Sequence, residues 1–223
     1  MTVKEIIEIF EENKNTKNVE GMKRFGIVAE NAFGIKTDLL RNIAKKIKKN
    51  HKLAIKLWET KIHEARRLAS MIANPNEVTV ELADKWTFDF NSWDICDSCC
   101  MELFRYCDVA INRINFWADS EEEFVRRTAF AMLATLAIKR KDEIFDEFFY
   151  NYFPLIKKYC TDDRNFVYKA VDWSIRQIGK RNPQSLIKSM ELCEEILAEY
   201  PDSKTAKWIA KTSLRELKSK QGK

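Results

Sequence analysis

Three stretches of the chain superimpose at a constant step. Phe124-Val125-Arg126-Arg127-Thr128-Ala129-Phe130, Phe166-Val167-Tyr168-Lys169-Ala170-Val171-Asp172 and Trp208-Ile209-Ala210-Lys211-Thr212-Ser213-Leu214 start 42 residues apart. A period of that size suits one helical hairpin per repeat, whose apolar face is buried only when the next hairpin stacks on it. The chain is therefore constrained to a row of paired helices, with one helix of each pair on a common wall. Upstream the same step lands on Leu82 and Lys85 with a weaker match, and His63-Glu64-Ala65-Arg66-Arg67-Leu68-Ala69 resembles the unit out of phase. The N-terminal repeats are expected to be degenerate or interrupted.

The rest of the sequence agrees with a helical chain. Leu53, Leu57 and Trp58, or Phe124, Ala131 and Leu136, recur in the apolar pattern of helices, with Leu53 and Leu57 four apart and Phe124 and Ala131 two turns apart. Breaks are predicted at Asn74-Pro75-Asn76, Asn91-Ser92, Asp119-Ser120, Asp162-Asp163, Asn182-Pro183 and Tyr200-Pro201-Asp202. Five Gly and four Pro in 223 residues are too few for a fold built on tight turns. With 45% hydrophobic residues and no Gly/Ser linker, the expectation is a single domain over 1–223. The predicted fold is all-α: a right-handed α-solenoid of HEAT-like helical-hairpin repeats with a concave basic groove.

The fourth position of the repeat is Arg127, Lys169 and Lys211. Stacked helices lie about 10 Å apart, so these cations form a ladder able to follow a phosphodiester backbone. The alternative is that they are solvated or carboxylate-paired in a chain with 39 Lys and Arg against 34 Asp and Glu. No apolar run reaches the length of a membrane span, and Met1 to Asn13 is acidic and amphipathic, unlike a signal peptide. The expectation is an intracellular, cytoplasmic protein without membrane contact.

Several chemistries lack their residues. There is no Gly-rich phosphate loop and no Gly-x-Ser-x-Gly elbow, and His63-Glu64-Ala65-Arg66-Arg67 lacks the second His of a zinc-binding helix. His51 and His63 are expected to be surface or packing residues. Cys96, Cys99 and Cys100 have a spacing able to hold zinc or exchange disulfides, but they alternate with Ile95, Met101 and Leu103 as in a helix packing reduced thiols into a core. No metal and no organic cofactor are expected. In Ser92-Trp93-Asp94-Ile95-Cys96-Asp97, Trp93 and Asp97 are four apart on one helical face, an arrangement able to hold a cation. Trp173 shares a face with Lys169. Core packing is the alternative for both Trp.

Met22-Lys23, Phe33-Gly34-Ile35-Lys36-Thr37, Ser92 to Asp97, Phe124 to Arg127 and Phe166 to Pro183 together resemble the DNA alkylation-repair family of HEAT-like DNA glycosylases over most of the chain. The resemblance implies hydrolysis of the N-glycosidic bond of N3- and N7-alkylated purines in double-stranded DNA by a monofunctional enzyme. It implies Asp97 as the catalytic carboxylate, Trp93 and Trp173 flanking the sugar, and Arg127 on the DNA backbone. Lys169, Lys211 and Arg176 are expected to join Arg127 there. Ser92 stands where well-characterised members carry an aromatic residue, and Phe25 and Phe33 are the candidates for an N-terminal aromatic contact. The expectation is a DNA-associated protein, read as a monomer if both ends of the solenoid are capped, with no obligate protein partner. The rival readings are a non-catalytic module binding damaged or distorted DNA and a protein-interaction solenoid.

Overall fold

The structure, a computed structural model, describes residues 1–139 and 144–220; residues 140–143 and 221–223 of the expected 1–223 domain lie outside the described residues. Several helices start at residues whose side chains cap them. Thr2 forms a reciprocal capping box with Glu5, and Asn15, Asn50, Thr79, Asn182 and Ser203 each accept the backbone N–H three residues on. Such caps contribute about 1 kcal/mol each. Asn74-Pro75-Asn76 enters a 3₁₀ turn at Pro75–Glu77, and Pro183 opens its helix at the first position, where no N–H is needed. Among the described residues there is no strand.

The chain divides into two compact units, Met1–Ile111 and Asn112–Lys223. The first holds α1 (Val3–Glu12), α2 (Thr16–Arg24), α3 (Thr37–Ile47), α4 (His51–Glu59), α5 (His63–Ile72), α6 (Val80–Phe88), α7 (Trp93–Glu102) and α8 (Asp108–Ile111). Here α3, α5 and α7 lie in succession, with α4 against α5 and α1 against α4. Trp58 and Trp86 stack at 4.1 Å with ring planes 3° apart, and Phe90 meets Trp58 edge-on. The Trp58 indole donates 2.8 Å to Asp89 Oδ2, while Arg66 covers the Trp58 ring and donates to the Asp89 carbonyl. The Trp58 ring therefore keeps its polar edge satisfied, whereas the buried Trp86 Nε1 has no hydrogen-bond partner among the described residues.

The second unit holds α9 (Ile114–Ala118), α10 (Glu123–Lys139), α11 (Asp146–Tyr150), α12 (Phe153–Tyr159), α13 (Asn165–Gly179), α14 (Pro183–Glu199) and α15 (Lys204–Lys218). The 42-residue step is visible as packing, with α10 against α13 and α13 against α15, while α14 contacts α12, α13 and α15. Phe124 and Phe166 stand at the starts of α10 and α13 with their rings 5.4 Å apart, and Trp208, further into α15, meets Tyr168 at 4.9 Å. At Gly179 a Cβ would come within 2.6 Å of Leu217 Cδ2 and 3.1 Å of Ser189 Cβ, so the absent side chain sets how closely α13 approaches α14 and α15.

Candidate functional site

Ser92 occupies the N-cap of α7 but makes no cap bond; its buried hydroxyl donates 2.9 Å to Asp94 Oδ1. The other Asp94 oxygen lies 2.7 Å from His63 Nε2 on α5. Burial alone would raise the Asp94 carboxyl, but the hydrogen bond from His63, the charges of His63 and Arg67 and the Ser92 hydroxyl hold it below the usual carboxylate range. This pair fixes the first turn of α7 against α5. His63, expected as a surface or packing residue, is a buried hydrogen-bonding partner, 3% exposed.

Trp93 stands beside this anchor, half-buried, with its indole Nε1 donating 2.9 Å to the Phe25 carbonyl. The Phe25 ring is 72% exposed. Phe33 is half-buried, 5.9 Å from Phe10, and does not line the cleft that Phe25 lines. Trp93, Asp94, Phe25, Met22, Lys17 and Arg67 line a cleft of about 670 Å³. An adjoining cleft of about 300 Å³ is lined by Trp93, Asp97, Arg41, Arg67 and Met101. The two positions read as sharing a helical face, Trp93 and Asp97, thus line one opening, and Asp97 is 9% exposed.

Two residues of this opening escaped the sequence reading. Arg67 lines both clefts, donates 3.0 Å to Thr37 Oγ1 and has an Nε with no hydrogen-bond partner among the described residues. Glu64, 1% exposed, accepts the backbone N–H groups of Phe33, Gly34 and Ile35 at 3.1, 2.7 and 3.2 Å. These three amides satisfy the buried carboxylate. It clamps the loop that carries Gly34 and Ile35 into the larger cleft.

In the second unit Lys169 and Lys211 are exposed on α13 and α15, and Trp173 is half-buried on α13. Arg127 breaks the expected ladder of exposed cations. It is 6% exposed and its Nη1 donates 2.6 Å to the Phe166 carbonyl, because the start of α13 covers α10 at this level. Arg126, its neighbour in the sequence, is buried as well, donating 2.6 Å to Asp162 and 2.8 Å to the Ala118 carbonyl. Arg176 is also engaged inside the unit, with Nε 2.9 Å from Asp172 Oδ2 and Nη1 2.7 Å from Glu216. Asp172, 2% exposed, has Ser213 as its further partner at 2.9 Å. Replacing Arg176 with Ala leaves that carboxylate buried without its cation. This is expected to cost about 3 kcal/mol and to lower the melting temperature by about 6–12 °C. An unchanged melting temperature would show that the guanidinium is not needed for folding.

All six cysteines are buried with free thiols. Burial pushes the Cys107 and Cys193 thiols up to about 12, leaving them uncharged near neutrality, as suits packing rather than metal binding or exchange. Among the described residues no group of three or more His, Cys, Asp or Glu is placed to hold a metal ion. Nor is any helix among them long and apolar enough to cross a membrane.

The family model described as DNA alkylation repair enzyme matches residues 6–216. Two uncharacterized proteins, from Listeria monocytogenes and Listeria innocua, are 28% and 29% identical to the chain over 97 residues, 42% of this chain and 43% of each relative. The matched part of the chain thus spans less than half the length of these curated relatives. A solved structure from a family described as related to the HEAT-like repeat DNA glycosylases, with affinity for branched DNA structures, superimposes with a TM-score of 0.78. That likeness has 18% identity and covers 87% of this chain and 83% of the other. It shows that the fold is of the HEAT-like repeat kind, as the 42-residue step predicted.

Proposed function

The chain belongs to the DNA alkylation repair enzyme family, and from that premise we propose that it is a DNA glycosylase releasing N3- and N7-alkylated purines from double-stranded DNA. The observation that carries this reading is the position of Asp97 and Trp93 on α7, a carboxylate and an indole lining one cleft with two arginines. A purine alkylated at N3 or N7 already bears positive charge, so it departs without protonation by a general acid. The electrons of the C1′–N bond go to the base, which leaves neutral, and positive charge develops on the sugar. Asp97 stabilises that charge and orients a water, whose oxygen bonds to C1′ while its proton passes through the carboxylate to solvent. The Trp93 ring face adds its attraction for a cation. The product is an abasic site.

Arg41 and Arg67 supply positive charge at the cleft, suited to the phosphates flanking the target nucleotide. On the second unit, Lys169 and Lys211 are the phosphate contacts of the proposal, and Trp173 is assigned a sugar contact on the family resemblance. Arg127 and Arg176 act there by holding α10, α13 and α15 in register, since their guanidinium groups are engaged within the unit.

Release of free methylated purine from methylated duplex DNA by the wild-type protein tests the proposal. Release supports it. No release, together with binding that weakens as salt rises, favours the second reading, a non-catalytic DNA-binding module. The structural neighbour with affinity for branched DNA gives that reading its footing.

A further inference from the structure

A third hollow, of about 400 Å³, lies beside the Asp97 cleft on the first unit and shares Arg41, Met71 and Glu102 with it. Its charged lining is Arg41, Lys45, Lys48, Lys49 and Glu102, four cations against one carboxylate. Some lysines elsewhere are paired with carboxylates, as Lys85 is with Glu59, Lys158 with Asp119, and Lys157 with Glu195 and Glu199. The Lys45 and Lys48 side chains have no hydrogen-bond or ion-pair partner among the described residues. Among the described residues the Arg41 side chain has only Asp38, at 3.9 Å with both side chains more than half exposed, and Lys49 Nζ donates 3.0 Å to the Met71 carbonyl.

The dipole of α3 accounts for Lys45 and Lys46 in its last turn. Lys48, at the C-cap, differs from them in its backbone. This residue closes the helix with φ 62° and ψ −153°, a conformation that glycine adopts freely and an L side chain does not. A helix end with that backbone ordinarily takes glycine. Here a lysine occupies it and lines the hollow among three other cations. Backbone strain and mutual repulsion coincide at one spot, and an anion relieves the second.

We propose that Arg41, Lys45, Lys48 and Lys49 form a phosphate seat for the DNA strand that runs on from the Asp97 cleft. The inference rests on the reading of the chain as a DNA-binding member of its family. Continuity through Arg41 places the seat next to the nucleotide on which Asp97 would act, and the hollow takes backbone phosphates without reading sequence.

Lys48→Gly separates this role from a structural one, because glycine relieves the strain while the phosphate contact is lost. The expected result is a melting temperature higher by about 2–4 °C. It is accompanied by a log-log salt slope for unmodified duplex binding that is shallower by about 0.9. Lys45→Gln, at an exposed position, is expected to flatten the slope by a similar step. Unchanged slopes in both variants overturn the seat. The measurement uses unmodified DNA, so its outcome is independent of base release. Release by wild type with unchanged slopes removes the seat and keeps the glycosylase, whereas flattened slopes without release keep the seat and remove the glycosylase.

Discussion

Asp97→Asn is expected to slow release of methylated purine about a thousandfold while changing duplex affinity less than a few-fold. The size follows from electrostatics: a carboxylate about 4 Å from a developing unit charge, at an effective dielectric constant of about 20, is worth about 4 kcal/mol. At about 1.36 kcal/mol per tenfold, that is a factor of about 10³. Asparagine preserves the size of the side chain and removes the charge, so the effect should appear in the single-turnover rate rather than in binding. Asp97 is 9% exposed, so a melting curve must accompany the rate. A folded variant that still releases base at the wild-type rate would take Asp97 out of the chemistry and leave the cleft as a binding surface.

The repeat was legible because helical stacking imposes a period on the sequence, and the Phe124 to Phe166 contact reproduces that period in space. The breaks were legible because Asn, Ser, Thr and Pro act locally at helix starts. Trp93 and Asp97 could be placed on one face from their four-residue spacing alone, and both line one cleft. What escaped the sequence depends on which helix covers which. Equivalent repeat positions line up in a row, but α13 covers Arg127 through its Phe166 carbonyl, 39 residues away, while Lys169 and Lys211 remain open. His63 and Asp94 meet across 31 residues, and Glu64 reaches amides about 30 residues upstream. No periodicity encodes such pairs. The strain at Lys48 was hidden for a different reason: a lysine in a basic helical segment carries no mark of its backbone angles.

The structure gives the Phe33-Gly34-Ile35 part of the family resemblance a physical reason, and it leads to the second large effect. Gly34 has φ +77°, and a Cβ there would come within 2.2 Å of the Asn15 carbonyl oxygen and 3.1 Å of Asn18 Cβ and Val19 Cγ2. The loop cannot drift away to make room. Asn15 donates its N–H to the Phe33 carbonyl at 2.8 Å, Asn18 Nδ2 donates to the Gly34 carbonyl at 2.8 Å, and Glu64 holds the amides from the other side. Gly34→Ala therefore combines about 1–2 kcal/mol of left-handed backbone strain with about 1–3 kcal/mol from forcing a packed neighbour aside. A loss of about 3 kcal/mol lowers the melting temperature by about 6–12 °C. Since Gly34, Ile35 and Thr37 line the cleft with Trp93, base release should fall with it even though glycine has no side chain to touch DNA. A variant that melts like wild type would show that the clamp yields, and the motif would then need an explanation at the DNA rather than in the scaffold.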